Sequence, residues 1–252
     1  MLFRSEAGQI TEQALAAGYR HIDTAQMYGN EREIGKALAR RPIDRDDLFL
    51  TTKVWWENLE TSKFARSVEA SLTHLGVDYV NLLLIHWPHP QLELEGYMEE
   101  LGRMQKQERT RYIGISNFTP DLIDRAVDTG ARLVTDQVEF HPLLDQSSTL
   151  RACRRHGLSL TAYAPLARGK ALTSGVITDI ARHHEKTPAQ ITLRWHIQHR
   201  DVIAIPKTST PERLEENLNV FDFQLSDDEM KRISALAKRD QRLVDPEFAP
   251  KW

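Results

Sequence analysis

The sequence predicts an α/β protein of the (β/α)8 TIM-barrel class, and three observations point there. Short apolar runs rich in Val, Ile, Leu and Tyr alternate with longer amphipathic segments. No composition break, low-complexity stretch or Gly/Ser linker interrupts that alternation. The chain has 252 residues, close to the ~250 that one such barrel needs, so a single domain over 1–252 is expected.

Seven strands are predicted, at 19–23, 48–53, 80–86, 112–116, 134–139, 158–163 and 202–206. Each is short and buried-looking, as expected for parallel strands covered on both faces. Residues 1–4 supply only a fragment of a further strand. Helical periodicity marks 6–17, 31–39, 62–75, 96–105, 120–128, 147–156, 176–184, 188–199, 211–221 and 227–237. Thr61 and Gly76 bracket the third of these as a cap pair. Pro188 and Pro211 follow Thr187 and Thr210 as first helical residues.

The formal net charge is −3 and the pI 6.4, which gives no reason to expect a nucleic acid or an anionic membrane as partner. A phosphate site would have to be a local basic cluster. The lone cysteine, Cys153, cannot form an intramolecular disulfide and reads as structural. There is no run of 18 apolar residues and no secretory start, so a cytoplasmic location is expected; the chain is also expected to be a monomer. None of the ten histidines shows zinc-cluster spacing, and no metal is expected; His141, His183 and His184 read as surface or packing residues. Arg151, Arg154 and Arg155 read as a solvated helix face.

Barrel enzymes carry their chemistry at the C-terminal ends of strands. Polar residues leaving those ends are Asp23, Lys53, His86, Ser116, Asn117, Gln137, Glu139, Tyr163 and Lys207, with Tyr28 on the loop after Asp23. Four of them have a joint logic. A tyrosine is a poor acid at neutral pH unless a nearby lysine favours its anion. An aspartate can hold that lysine charged, and a histidine can orient a carbonyl oxygen. Taken alone, Asp23 and Lys53 would as readily form a structural ion pair.

The strings GYRHIDTAQMYGNEREIG, LFLTTKVW, VNLLLIHWP, YIGISNF and IPKTSTPERLEEN resemble the aldo-keto reductase family, in sequence and in order, over nearly the whole chain. The tail RLVDPEFAPKW and the segment KTPAQITLRWHIQ look most like the bacterial 2,5-diketo-D-gluconate reductase branch. The resemblance implies a catalytic set of Tyr28 as general acid, Lys53 as its activating cation, Asp23 as the partner of the lysine and His86 as the residue that orients the carbonyl. It implies a substrate wall of Phe3, Trp55 and Trp87, with the tail over 243–252 covering the mouth.

It also implies NADPH, bound without a glycine-rich fingerprint; no GxGxxG follows a strand here. Ser116, Asn117 and Gln137 match the residues that bond the nicotinamide carboxamide, and Tyr163 the one that stacks on the ring. Ala164, Leu166 and Arg168 match the pyrophosphate loop, Arg168 standing where relatives often have an uncharged residue. Lys207, Thr208, Ser209 and Arg213 match the 2′-phosphate cluster, and Glu216 and Asn217 the adenine contacts. An Arg fork with a Lys is good phosphate recognition, and a helix starting at Pro211 would add backbone donors.

The implied function is reduction of keto-sugar acids, methylglyoxal-like ketoaldehydes and other aldehydes or ketones. A cofactor-binding regulatory barrel with little catalysis is the alternative, and an isomerase or aldolase barrel using Lys53 is a second. The match starts near residues 2–4, at the end of the family's first strand. The N-terminal hairpin is therefore expected to be absent and the first strand largely missing.

Overall fold

The computed structural model describes residues 4–40 and 43–252, which divide into two compact units. The first comprises Met1–Thr135, Ser209–Pro211 and Phe248–Trp252; the second comprises Asp136–Thr208 and Glu212–Glu247.

In the first unit the order is α1 (Arg4–Ala16), β1 (His21–Asp23), α2 (Glu31–Arg40), β2 (Phe49–Val54), α3 (Thr61–Leu75), β3 (Val80–Ile85), α4 (Leu94–Lys106), β4 (Thr110–Ser116) and α5 (Pro120–Asp128). Strands β1 to β4 pair in chain order and all in parallel. Strand β5 (Leu133–Glu139) begins in this unit and ends in the second. The second unit continues with α6 (Ser147–Arg155), β6 (Ser159–Tyr163), α7 (Gly175–His183), α8 (Pro188–Gln198), β7 (Val202–Ala204), α9 (Glu212–Leu218) and α10 (Asp227–Ser234), with β6 and β7 parallel.

All seven predicted strands and all ten predicted helices are present among the described residues, most with shifted ends. Strand β3 (VNLLLI) is buried at all six positions, the outcome that a run without alternation demands. Gly35 on α2 and Gly114 on β4 make close approaches possible. A Cβ on Gly35 would collide with the carbonyls of His74 and Leu75, and one on Gly114 would stand 2.8 Å from the Thr135 carbonyl oxygen.

Some boundaries fall as predicted and others shift; α5 keeps both of its ends although Thr119 makes no side-chain cap bond. Thr187 caps α8 in a reciprocal capping box with Gln190, and Pro188 opens the helix. Gly76 ends α3 at φ 69°, but Thr61 lies inside that helix and Glu60 is its N-cap, without a side-chain bond. Pro211 precedes α9 rather than opening it. Arg4 begins α1, so the strand fragment expected over 1–4 ends in a helix, with residues 1–3 outside the described range. Cys153 is buried, and burial together with Asp136 pushes its thiol pKa far up, which supports the structural reading. Arg151, Arg154 and Arg155 are exposed.

His196 on α8 is fully buried and donates from Nε2 to the Phe140 carbonyl at 3.1 Å. Burial, aided by His199 and His141, pushes its pKa down to about 3. It therefore folds neutral, whereas in the unfolded chain it gains a proton as pH falls below about 6.5. The sign is a loss of stability on acidification, about 2 kcal/mol from this residue alone between pH 7 and pH 5. Denaturant melts across that range should show the slope, and His196→Asn should flatten it; an unchanged slope in the variant would count against a neutral His196.

Candidate active site

Strand register builds the site. Asp23 pairs with Thr51, and Lys53 pairs with Leu84. Residues two apart on a strand share a face and lie about 6.6 Å further along it. Asp23, Lys53 and His86 therefore project from one face, each two residues beyond the partner of the one before. Leu84 also pairs with Gly114, which brings Ser116 level with His86. The His86 amide continues the ladder past β3 by donating to Val54 O at 3.0 Å.

Lys53 is completely buried. Its Nζ donates to the Asp23 carboxylate and, at 2.9 Å, to the Thr24 carbonyl. It stands 5.3 Å from the centroid of the Tyr28 ring. Burial penalises the ammonium, but Asp23 and Tyr28 outweigh that penalty and hold the lysine above its ordinary pKa. Tyr28 ends a single 3-10 turn, Gln26–Tyr28, which Gly29 closes at φ 63°. His86 meets the Tyr28 ring edge-on at 5.6 Å and the Trp55 ring at 5.3 Å.

The electrostatics sharpen the sequence reading at one point. Lys53 does pull the Tyr28 pKa down, but burial raises it more, and the net shift is upward. The tyrosine is held protonated in the resting site rather than acidified. Burial and the Lys53 charge drive His86 well below its ordinary pKa, so it stays neutral. Its Nδ1 is buried without a hydrogen-bond partner.

Three features escaped sequence reading. The side chain of Gln26 ties the Tyr28 turn to its surroundings: Oε1 accepts from Trp55 N at 3.0 Å and Asn58 Nδ2 at 2.9 Å, while Nε2 donates to Ser67 and Ser71 hydroxyls. Phe248 packs against Trp55, Trp56 and Trp87 at ring separations of 5.7, 5.1 and 5.6 Å. Glu139, fully buried, accepts from Leu243 N, Val244 N and His141 Nε2 at 2.8–2.9 Å, so a buried carboxylate is satisfied by fastening the tail. The tail RLVDPEFAPKW carries two aromatics, Phe248 and Trp252, and these were the only local signal of such packing. Of the predicted apolar wall, Trp55 is half-buried and Trp87 buried, while Phe3 lies outside the described residues.

The residues matched to cofactor binding fall into three groups. Ser116, Asn117 and Gln137 are buried at the ends of β4 and β5. Asn117 adopts φ 64°, a conformation Asn tolerates, and its Nδ2 donates to His86 O at 2.9 Å and Ser116 Oγ at 3.0 Å. Tyr163 is half-buried at the end of β6, followed by Ala164, Leu166 and Arg168 on a tight turn in which Ala164 and Arg168 have φ 48° and 52°. Lys207, Ser209 and Arg213 are exposed, Thr208 is half-buried and Asn217 is buried. Glu216 accepts from Thr187 Oγ1 at 2.6 Å.

Buried polar groups at strand ends, with a tyrosine over a paired lysine, define a barrel-type enzyme site. The family model for the aldo/keto reductase family matches residues 3–238. The methylglyoxal reductase DkgB of Escherichia coli O157:H7 is 43% identical over 244 residues, covering 95% of this chain and 91% of its own. An aldo-keto reductase of Mycobacterium sp. (strain KMS) is 40% identical over 235 residues, covering 92% and 85%. A crystal structure provisionally assigned as 2,5-diketo-D-gluconic acid reductase B superposes with a TM-score of 0.98 at 43% identity, over 100% of this chain and 90% of that one. The chain belongs to the aldo/keto reductase family, and its fold is the family's (β/α)8 fold. It is an oxidoreductase of the kind that reduces carbonyls. Among the described residues no helix is long and apolar enough to cross a membrane.

Tyr28 is held protonated, Lys53 cationic and His86 neutral. A donor whose pKa is raised keeps its proton to higher pH, so kcat should stay flat from about pH 6 to about pH 9 and fall only beyond. A pH–rate profile with an inflection in the ordinary histidine range would contradict a neutral His86.

Proposed function

We propose that the chain is an NADPH-dependent carbonyl reductase in which Tyr28 is the general acid. It would act as a single barrel domain over 1–252, a cytoplasmic monomer, on small aldehydes and ketones. The observation that carries this reading is the fully buried Lys53, held by Asp23 and Thr24 and lying beneath the Tyr28 ring with His86 at its edge.

The residues fit the cofactor by their chemistry. A carboxamide needs both donors and acceptors, which Ser116, Asn117 and Gln137 provide at buried strand ends. Tyr163 offers the nicotinamide ring a half-buried aromatic face. Ala164, Leu166 and Arg168 would line the pyrophosphate. Lys207 and Arg213 are exposed cations whose side chains make no ion pair or hydrogen bond among the described residues, so both are open to a phosphate. Thr208, Ser209, Glu216 and Asn217 would complete the adenosine end. When bound, NADPH supplies the hydride that goes to the carbonyl carbon.

The chain's own residues handle the oxygen. His86 keeps Nδ1 buried and unpartnered, and a bare lone pair is cheaper to leave there than an N–H. The proton therefore sits on Nε2, which donates to the carbonyl oxygen and orients it. Tyr28 gives its hydroxyl proton to that oxygen as charge develops. Lys53 then stabilises the tyrosinate left behind, and Asp23 keeps Lys53 in position. Trp55, Trp56, Trp87 and Phe248 form an apolar wall that excludes water from the reaction.

Methylglyoxal-like ketoaldehydes and keto-sugar acids are the proposed substrates, in keeping with the relatives named above. Tyr28→Phe should lower kcat with methylglyoxal by at least about a hundredfold while NADPH fluorescence titration gives an unchanged Kd. Wild-type turnover in that variant would remove Tyr28 from the acid role, and NADPH binding by the wild type without any turnover would favour a regulatory barrel. Arg213→Ala should weaken NADPH by roughly tenfold to a hundredfold and NADH far less; equal losses for the two would contradict the phosphate assignment.

A further inference from the structure

His183 closes α7 and His184 caps it, and the turn between them presents both rings to Glu229 in the first turn of α10. His184 Nε2 lies 2.9 Å and His183 Nδ1 3.2 Å from the same oxygen, Glu229 Oε1. One ligand atom from each residue lies within 4.8 Å of the other two. We propose that these three residues form a surface site for a divalent transition metal of the Zn(II) type, separate from the reductase machinery.

The donor set fits that class of ion. Two imidazoles and one carboxylate suit a borderline ion such as Zn(II) and do not suit Mg(II) or Ca(II), which need mostly oxygen. Zinc bonds of about 2.0–2.2 Å place tetrahedral ligand atoms roughly 3.3 Å apart, so the two histidine–carboxylate separations need little adjustment. Glu229 is oriented in advance: its Oε2 accepts from the Ser226 amide at 2.8 Å and the Ser226 hydroxyl at 3.0 Å, which leaves Oε1 facing the histidines. Such a fixed outer partner is what a metal-binding carboxylate requires. The His184 ring is further fixed against Phe223 at 5.5 Å. The three residues border an open groove of about 370 Å³, which leaves a fourth position for water.

Two histidines hydrogen-bonded to one carboxylate oxygen also make sense without any ion, and the test separates the two readings. Full-length protein without a polyhistidine tag is titrated with Zn(II) by calorimetry, then with Co(II) by visible absorption, in a background of Mg(II). One equivalent of Zn(II) should bind despite the Mg(II), and Co(II) should give the intense bands of a tetrahedral centre. His183→Ala and His184→Ala should each weaken Zn(II) by at least roughly tenfold, while His156→Ala changes nothing. Glu229→Gln retains a capping glutamine but loses the anion, and it should weaken binding without unfolding α10. Absence of stoichiometric binding, or binding that survives both histidine variants, overturns the proposal.

Discussion

The ammonium of Lys53, out of water and between Asp23 and the ring of Tyr28, is the constraint on which the rest of the site depends. A buried charge is tolerated only when it is paired and hydrogen-bonded. Lys53 satisfies that condition with one carboxylate and one backbone carbonyl, and both partners come from the β1 end. Removing either would strand a charge in the interior. An apolar residue of similar volume at position 53 would cost the fold less, so stability does not account for a lysine there. The stepped register of β1, β2 and β3 exists in a form that brings a carboxylate within reach of that lysine.

The same burial governs the tyrosine. Desolvation raises the Tyr28 pKa and Lys53 lowers it, with desolvation ahead. In the proposed role of general acid, Tyr28 gains from this balance. It keeps its proton until a substrate oxygen demands it, and the cost of the resulting anion is offset by a cation already in place and already desolvated. Gln26 serves the same end by geometry, since its four hydrogen bonds fix the short turn that carries Tyr28. A neutral acid on a rigid turn is a more exact description than the lysine-acidified tyrosine that the sequence suggested.

What the sequence made legible follows from periodicity and motif. Runs such as VNLLLI and amphipathic helices with clear caps were placed correctly because their patterns are local. Asp23, Tyr28, Lys53 and His86 were legible as a set because family strings surround each of them, and the register brings three of them to one face. Boundaries slipped at Glu60, where no side chain caps the helix, and at Pro211, which precedes α9. The remaining misses are long-range. Phe248 meets Trp55 and Trp87 only after the tail returns, and Glu229 joins His184 across 45 positions of sequence. Glu139 was visible as a polar residue at a strand end, but its bond to Leu243 spans 104 positions. No local pattern encodes such pairs, and adjacent histidines on a helix read as solvated until the second element is in place.

The aromatic wall bears on selectivity. Trp55, Trp56, Trp87 and Phe248 offer shape and apolar surface, and such a surface discriminates weakly: one methylene is worth about 1–3 kcal/mol, and an added hydroxyl is hardly rejected. In the proposed reductase such a site would accept a small ketoaldehyde and a hydroxylated keto acid alike, provided each presents its carbonyl to Tyr28 and His86. Strong preference for one of them requires a polar group that a wrong substrate would leave buried and unpaired. The aromatic rings have no such group to offer beyond their indole N–H. In the proposed reductase the chemistry is therefore fixed by the strand ends, whereas substrate choice falls to polar side chains outside the wall, and a broad carbonyl range is the consequence of the wall itself.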